Sequence, residues 1–421
     1  MKPRVILFGL LACGGAPVAD AGPPTPGTVP WTDDACAAMS MTTGKRYDVD
    51  FARFDASDKR APPAPGRVVI VGSSSIRRWE GAAEALAPWG SVQRGFGGGL
   101  LTDVAVHADT LVTRHRPSAV VVFAGSNDVT APSEPAKIVN GFRCLVQKIR
   151  AVDGEVPVFF VAITPTPLRW HLLDRGEAVN AGIRAVVARD PSLHYVDVAS
   201  PFLARSPAPG EPPDAMLFVD DRLHLSDAGY ALWSSRILDA LDANVPRRDP
   251  PTSGWTGAGV VSVTLGGVDA TNRWPLPAPG GLVLAGEALG PLRDGAGAAT
   301  PVRLVVTGGF RVGGAAAPST AGAFIASTPD EPAGLRLEGL APGMDYDVTI
   351  TVVTAPGSLG GVGQVKVIDA SPPRFAEIAP STPSALVMLP ATADRWGAVT
   401  LDFQPPEGDG LAISQLAITG R

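Results

Sequence analysis

Four short segments contain residue types that together could perform acyl transfer. They are Gly72-Ser73-Ser74-Ser75, the glycine-rich segment 94–99 (RGFGGG), the segment 124–128 (AGSND) and the segment 219–230 (VDDRLHLSDAGY). A serine hydroxyl is a poor nucleophile until a base takes its proton, and histidine is the usual base when a carboxylate holds its ring in one tautomer. Asp221 and His224 have the spacing D-x-x-H, which allows that contact across a short turn. The segments therefore supply a nucleophile, a base and an orienting acid.

Each segment taken alone has a simpler interpretation. Serine is a preferred N-cap, so the three serines fit a turn that caps the next helix. The glycines fit a plain turn, and Asn127 fits a turn closed by its own side chain. The remaining histidines lack comparable acidic spacing, and we interpret them as structural or exposed: His107, His115, His171 and His194. The chemical interpretation depends on the four segments meeting in space.

The elements that must position these residues alternate from Arg67 to about Ala243. Strand-like apolar runs lie at 67–72, 91–95, 118–125, 156–163 and 194–198, and helix-like stretches lie at 75–89, 101–115, 134–152, 176–190 and 226–243. Continuous Val/Ile runs separated by helices are typical of a parallel sheet covered on both faces. We therefore predict a doubly wound, three-layer α/β/α domain over 67–243 with a five-stranded parallel sheet. Ligands of such sheets bind beyond the carboxyl ends of the strands, where all four segments fall.

In this order the segments resemble the SGNH (GDSL-type) hydrolase family, named for Ser, Gly, Asn and His in separate sequence blocks. The first block, GDS[LI] in most members, is GSSSI here, and the GxND block is GSND. Gly98 matches the second-block glycine, and Asp221 to His224 match the DxxH block. GSSSIR-x-W also resembles the first block of one subgroup. The resemblance covers residues 67–243 and implies that family's flavodoxin-like fold.

The resemblance also implies roles for individual residues. Ser74 aligns with the nucleophile, His224 with the base and Asp221 with the orienting acid. The implied oxyanion hole consists of the backbone N–H groups of Ser74 and Gly98 and the side chain of Asn127. Ser73 stands where the family usually has aspartate, and Ser75 stays open as a lesser candidate for the nucleophile. Asp220 stays open as a minor alternative to Asp221.

The N-terminus predicts an exported protein. Residues 1–21 combine basic residues, a short apolar run and small residues, which is an export-signal pattern, and the run is too short to span a bilayer. It can be processed at a lipobox, which would lipidate Cys13, or after Ala21. We expect a periplasmic, secreted or lipid-anchored bacterial protein. Cys36 and Cys144 then remain either as a disulfide or as two buried thiols.

The flanking regions differ in composition from the central domain. Residues 22–66 form an N-terminal arm and the proline-rich segment 244–254 forms a linker. Short β-like runs separated by Gly, Pro and Asp turns predict an all-β sandwich over 255–421. Within it we expect the Tyr346 hydroxyl to bond back to a turn. Trp255, Trp274 and Trp396 are interpreted as sandwich core rather than as a sugar-stacking platform.

The leading functional hypothesis is a serine esterase that removes short acyl or acetyl groups, with a small-molecule or carbohydrate ester as substrate. A lipase, phospholipase or thioesterase uses the same chemistry, and a nucleotide- or flavin-binding module or a non-catalytic surface protein is the alternative from another class. With a net charge of −6 the chain lacks the basic character of a nucleic-acid binder. No metal-ligand spacing is found, and we predict no cofactor.

Overall fold

The fold is taken from a computed structural model of the chain. It describes residues 34–37, 39, 45–265, 272–274, 282–308, 310–313, 324–327, 333–353, 363–368, 374–378, 384–404 and 411–421. The export-signal pattern and Cys13 lie outside these residues. No helix in the described ranges is both long enough and apolar enough to cross a bilayer.

A five-stranded parallel sheet forms the centre of the first unit, as predicted from the apolar runs. Its strands are β1 (Val68–Gly72), β2 (Ser91–Gly95), β3 (Ala119–Phe123), β4 (Val158–Val161) and β5 (Leu193–Val196), in the spatial order β2-β1-β3-β4-β5. This is the flavodoxin-type doubly wound order, in which the chain reverses direction across the sheet between β1 and β3. Ligand sites of such sheets lie at that reversal point.

Helices cover both faces of this sheet. They are α1 (Asp48–Arg60), α2 (Ser74–Arg77), α3 (Ala82–Ala85), α4 (Leu101–Val106), α5 (Ala108–Leu111), α6 (Pro135–Arg150), α7 (Leu173–Val187), α8 (Ala199–Leu203) and α9 (Asp227–Asn244). Alternate residues of β1 enter opposite cores: Val69 and Val71 pack with α4, α6 and α7, whereas Val68 and Ile70 pack with α9. Burial on both faces explains why β1, β3 and β4 are continuously apolar in sequence.

Strand register brings the predicted site segments to one edge. Gly72 at the end of β1 pairs with Gly95 at the end of β2 and with Phe123 at the end of β3. The segments that follow these three strands therefore leave the sheet at the same level. This alignment positions the serine triplet, the glycine-rich loop and the Asn127 segment around one point.

Two features of this unit were not predicted. The helix-like stretch 75–89 folds as the separate short helices α2 and α3, and the stretch 101–115 is interrupted at His107 between α4 and α5. The N-terminal arm contains α1, whose Phe51 and Phe54 are buried against the sheet. Cys36 of the arm and Cys144 of α6 form a disulfide, so of the two alternatives left open the disulfide is the one present.

The described residues of the C-terminal region form two packed sheets, antiparallel except for the parallel pair β6–β7. One sheet has the order β16-β15-β18-β13-β10-β9 and the other β17-β14-β19-β12-β11-β8, with β6 beside β19 and β7 beside β6. The strands are β6 (Val260–Leu265), β7 (Arg273–Trp274), β8 (Leu282–Val283), β9 (Ala288–Leu289), β10 (Arg303–Val306), β11 (Phe310–Gly313), β12 (Phe324–Ser327), β13 (Ala333–Glu338), β14 (Asp345–Val353), β15 (Gly363–Val367), β16 (Arg374–Ile378), β17 (Ser384–Thr392), β18 (Ala398–Gln404) and β19 (Leu411–Gly420). Apolar residues from both sheets form one core between them, which is a β-sandwich.

Aromatic residues close one corner of this sandwich. The Tyr346 hydroxyl accepts a hydrogen bond from the Ala341 amide at 3.0 Å and donates to the carbonyl of Trp255, so the expected bond back to the turn is present. Trp255 and Trp274 are buried in the core, whereas Trp396 is half-buried beneath the guanidinium of Arg395. The core interpretation therefore holds for Trp255 and Trp274.

The sandwich packs directly on the α/β unit through the segment 284–288. Leu284 enters the α/β core, and the Ala288 amide donates to the hydroxyl of Ser57 on α1 at 2.8 Å. Glu287 is 1% exposed and accepts two hydrogen bonds from Arg53, both 2.8 Å long. An ion pair and a shared apolar core thus join the two units through α1.

Candidate active site

Ser74 occupies the turn between β1 and α2. Gly72 has φ of +150°, and a Cβ at this position would lie 1.9 Å from the carbonyl oxygen of Phe123, so only glycine permits this close approach to β3. Ser73 is the extended N-cap residue and Ser74 is the first residue of α2. The backbone N–H of Ser74 therefore has no acceptor within its own helix and can donate to a bound group.

Asp221 and His224 lie on a tight turn before α9. Asp221 Oδ1 accepts the backbone N–H groups of Leu223 at 2.9 Å and His224 at 2.8 Å, and the Val219 amide donates to the His224 carbonyl at 2.9 Å. Arg222, between them, adopts a left-handed conformation with φ of +56°. The D-x-x-H spacing thus folds back on itself and places the carboxylate beside the imidazole.

The serine, histidine and aspartate form a continuous chain of hydrogen bonds. His224 Nε2 lies 2.8 Å from Ser74 Oγ, and His224 Nδ1 lies 2.5 Å from Asp221 Oδ2. The acceptor on Nδ1 favours the tautomer that carries a proton there and leaves Nε2 free to accept the serine proton. Ser75 instead uses its backbone carbonyl to accept a hydrogen bond from the Tyr230 hydroxyl at 2.8 Å.

The surrounding groups keep the histidine neutral and the aspartate ionised. Burial lowers the pKa of His224, and the positive charge of Arg78 adds to this, while the hydrogen bond to Asp221 raises it only in part. Partial burial acts to raise the pKa of Asp221, but hydrogen bonds from the His224 side chain and from the His224 and Leu223 amides hold it below its usual range. At neutral pH the His224 imidazole is therefore uncharged and can accept a proton.

Asn127 and the glycine loop are tied to each other beside this chain. The Asn127 side-chain amide donates to the Gly99 carbonyl at 3.0 Å, which leaves its second N–H available. Gly98 has φ of +72°, and its carbonyl accepts the Tyr47 hydroxyl at 2.9 Å. Asp128 supports the same loop by accepting the Leu101 amide, and burial raises the pKa of Asp128 to about 6.

A pocket at this point contains most of the predicted site residues. Ser74, Asn127 and His224 all line it. Gly98 does not line it, but the next residue, Gly99, accepts a hydrogen bond from the Asn127 side chain. The rest of the lining is small or polar with a few apolar side chains: Ser73, Ser75, Phe123, Ser126, Thr164, Thr166, Arg169, Leu223 and Leu225. The arrangement can bind a small carbonyl compound between a hydroxyl and amide donors.

Arg169 is a site residue that the sequence prediction missed. Its Nη2 donates to Asn127 Oδ1 at 2.9 Å, and its Nη1 donates to the Ser126 carbonyl at 2.7 Å and hydroxyl at 2.5 Å. Burial lowers the pKa of this guanidinium. Arg169 lies in the segment 165–170 (PTPLRW), which has no spacing pattern that marks an arginine for a site. The neighbouring Trp170 does not line the pocket.

The other acidic and histidine candidates lie elsewhere. Asp220 is exposed, and within the described ranges it makes no hydrogen bond to His224. His107 packs on Phe51, His194 stacks on Phe159, His115 is buried and His171 is exposed. No group of three or more His, Cys, Asp or Glu side chains in the described part of the chain is arranged to hold a metal ion.

Comparison with known proteins identifies the α/β unit. Residues 66–232 match the family described as GDSL-like lipase/acylhydrolase. No curated protein shows significant similarity to the chain.

Three solved structures illustrate what the chain is similar to. One from Streptococcus pneumonia, whose name refers to platelet activating factor, is 15% identical, covering 47% of this chain and 93% of that one, with a TM-score of 0.42. A GDSL-like lipase from Bacteroides thetaiotaomicron VPI-5482 is 19% identical, covering 49% and 100%, with a TM-score of 0.39. A carbohydrate esterase family 3 protein from Talaromyces cellulolyticus is 19% identical, covering 42% and 97%, with a TM-score of 0.34.

Proposed function

We propose that the chain cleaves short-acyl carboxylic esters by a Ser74-His224-Asp221 triad. The match of residues 66–232 to the GDSL-like lipase/acylhydrolase family supports ester hydrolysis. The observation that carries this proposal is the unbroken chain from Ser74 Oγ through the imidazole to Asp221, with contacts of 2.8 and 2.5 Å. These distances are within the range in which a base can take the serine proton.

The first half of the reaction forms an acyl-enzyme. Ser74 Oγ attacks the ester carbonyl carbon while its proton passes to His224 Nε2, and the carbonyl oxygen becomes an oxyanion. The imidazolium is stabilised by Asp221, which stays ionised. When the carbon–oxygen bond to the alcohol breaks, the leaving oxygen takes the proton from Nε2. The products are an acyl-Ser74 ester and the free alcohol.

The second half repeats these steps with water. His224 takes a proton from the water molecule as its oxygen attacks the acyl carbon, and the proton is then returned to Ser74 Oγ as the carboxylic acid leaves. In both halves the oxyanion is held by the Ser74 and Gly98 amides and the Asn127 side chain. Each such donor contributes about 10²–10³ in rate.

The proposal extends to substrate class and location. The small, partly polar pocket favours a short acyl group, and the appended β-sandwich favours a carbohydrate ester, with a lipase, phospholipase or thioesterase as the alternative of the same chemistry. The Cys36–Cys144 disulfide favours export to an oxidising compartment, with or without a lipid anchor at Cys13. A secreted or periplasmic bacterial esterase accounts for these features together.

Hydrolysis of p-nitrophenyl acetate by the full chain and by Ser74→Ala tests this function. We expect hydrolysis by the wild type and only background hydrolysis by Ser74→Ala, with both proteins unfolding at the same temperature. Full activity of a folded Ser74→Ala protein would exclude Ser74 as the nucleophile.

A panel of acetylated sugars and simple acyl esters then identifies the substrate class. A carbohydrate esterase should have a higher kcat/KM for the acetylated sugars than for the simple esters.

A further inference from the structure

A second, more apolar pocket lies directly beside the catalytic pocket. Ser126, Thr164, Thr166 and Arg169 line both pockets. The remainder of the second pocket is mainly apolar, with the carboxylate of Glu177 at one side: Val129, Ile163, Pro165, Leu172, Leu173, Gly176 and Glu177. We call it the apolar pocket.

Arg169 is held firmly at the boundary between the two pockets. Its guanidinium makes three hydrogen bonds of 2.5 to 2.9 Å to Ser126 and Asn127. Its backbone N–H donates to the Thr166 carbonyl at 3.1 Å and to the Thr166 hydroxyl at 3.3 Å. Arg169 is thus held by its guanidinium and by its backbone at the boundary that the two pockets share.

The reaction geometry indicates which part of an ester faces this boundary. The leaving alcohol must lie next to His224, because Nε2 returns the proton to its oxygen. The oxyanion must face the Ser74, Gly98 and Asn127 donors. The acyl substituent takes the remaining direction, away from His224. None of His224, Ser74, Gly98 and Asn127 lines the apolar pocket, so it lies away from both the leaving-group side and the oxyanion donors, in the direction left for the acyl substituent.

We propose that Arg169 restricts the substrate to a short acyl group by closing the catalytic pocket toward the apolar pocket. A longer aliphatic chain would have to displace a guanidinium that has three hydrogen bonds, which leaves buried donors and acceptors without partners. With the guanidinium removed, the Val129, Ile163 and Leu172 side chains offer an apolar surface for that chain. The inference rests on the ester hydrolysis proposed above and concerns the acyl group.

Arg169 also acts as a positioning residue for Asn127, because its Nη2 holds the Asn127 oxygen and so directs the amide N–H groups. Removal of Arg169 therefore has two separable effects. Poorer positioning of Asn127 lowers kcat for every ester alike, whereas the opened pocket changes the ratio between long and short esters. Asn127→Ala is the control, since it removes the oxyanion donor and keeps the arginine with its two hydrogen bonds to Ser126.

The test compares kcat/KM for p-nitrophenyl acetate and hexanoate in the wild type, Arg169→Ala, Asn127→Ala and Arg169→Ala/Gly176→Leu. A Cβ on Gly176 would meet only Ile163 Cγ2, at 3.5 Å, so leucine there can fill the apolar pocket. We expect the hexanoate-to-acetate ratio to rise about 10-fold or more in Arg169→Ala, the scale for added methylenes in an apolar pocket. We expect Asn127→Ala to lower both rates with the ratio unchanged, and the double variant to return to the wild-type ratio.

An unchanged ratio in folded Arg169→Ala, or a raised ratio that Gly176→Leu does not reverse, would overturn the inference. Gly176→Leu alone tests it without altering Arg169: the wild-type ratio should persist, and a selective loss of hexanoate hydrolysis would show that the chain already enters the apolar pocket. If instead the wild type hydrolyses neither ester, or Ser74→Ala is as active as the wild type, the proposed function itself fails.

Discussion

The ion pair between Arg53 and Glu287 gives a quantitative prediction about how the two units are held together. Glu287 receives two hydrogen bonds from Arg53 at 2.8 Å and one from the Leu284 amide at 2.7 Å. The side chains are 15% and 1% exposed, respectively. Glu287→Ala removes the acceptor and leaves the largely buried Arg53 guanidinium without its partner.

Burial decides the size of this effect. Burial raises the pKa of Glu287, and the positive charge of Arg53 lowers that pKa only in part. The attraction between the two charges therefore does little more than offset the free energy lost when they are removed from water. Breaking such a pair is nevertheless expensive, because the remaining charge stays buried. We expect Glu287→Ala to lower the free energy of unfolding by about 3–5 kcal/mol.

The chain contains a matched control in the pair between Arg247 and Asp242. This pair has the same two-bond geometry, with both bonds 2.6 Å long, but its side chains are 52% and 39% exposed. Exposed pairs contribute little, so we expect little change in Asp242→Ala. Urea unfolding followed by tryptophan fluorescence measures both variants. Equal losses in the two variants would refute the argument from burial.

Three further predictions concern the site and the fold. The acid limb of the pH profile of kcat/KM should have its midpoint below pH 6.5, because Nε2 of His224 must be unprotonated and burial lowers the pKa of His224 from its ordinary value of 6.5. Arg78→Met removes a nearby positive charge and should move that midpoint upward. A downward move would contradict the assignment of His224 as the base. Gly72→Ala should destabilise the protein far more than Gly66→Ala in thermal unfolding, since a Cβ at Gly72 would lie 1.9 Å from a carbonyl of β3 whereas one at Gly66 meets nothing within 4 Å. Reduction of the disulfide should lower the unfolding free energy by about 4–5 kcal/mol, as expected for opening a loop of about 100 residues, and no shift in the urea midpoint would oppose this.

Local sequence pattern was enough to predict the parallel sheet and the β-sandwich. Continuous apolar runs predicted β1, β3 and β4, because strands buried on both faces have no polar alternation. The D-x-x-H spacing predicted the contact between Asp221 and His224, since three residues define one turn. Strands and short-range contacts of this kind depend on residues close together in the sequence, so the sequence alone predicts them.

Contacts between distant segments could not be predicted in the same way. The contact from Arg169 to Asn127 joins residues 42 positions apart and has no local pattern. The docking of Glu287 on Arg53 spans 234 positions and depends on the orientation of two units. The α1 helix was missed because its buried Phe51 and Phe54 lie among charged residues, so its fold depends on the surface it packs against.

The most direct test of Ser74 as the nucleophile is the site of covalent labelling by a fluorophosphonate probe, identified by peptide mass spectrometry. We expect one adduct per chain, on Ser74, formed in step with loss of ester hydrolysis. We also expect no adduct in folded Ser74→Ala protein, because the probe reacts only with a serine whose proton is taken by His224. An adduct on Ser75, or an inactivated protein with no adduct on Ser74, would contradict this role of Ser74.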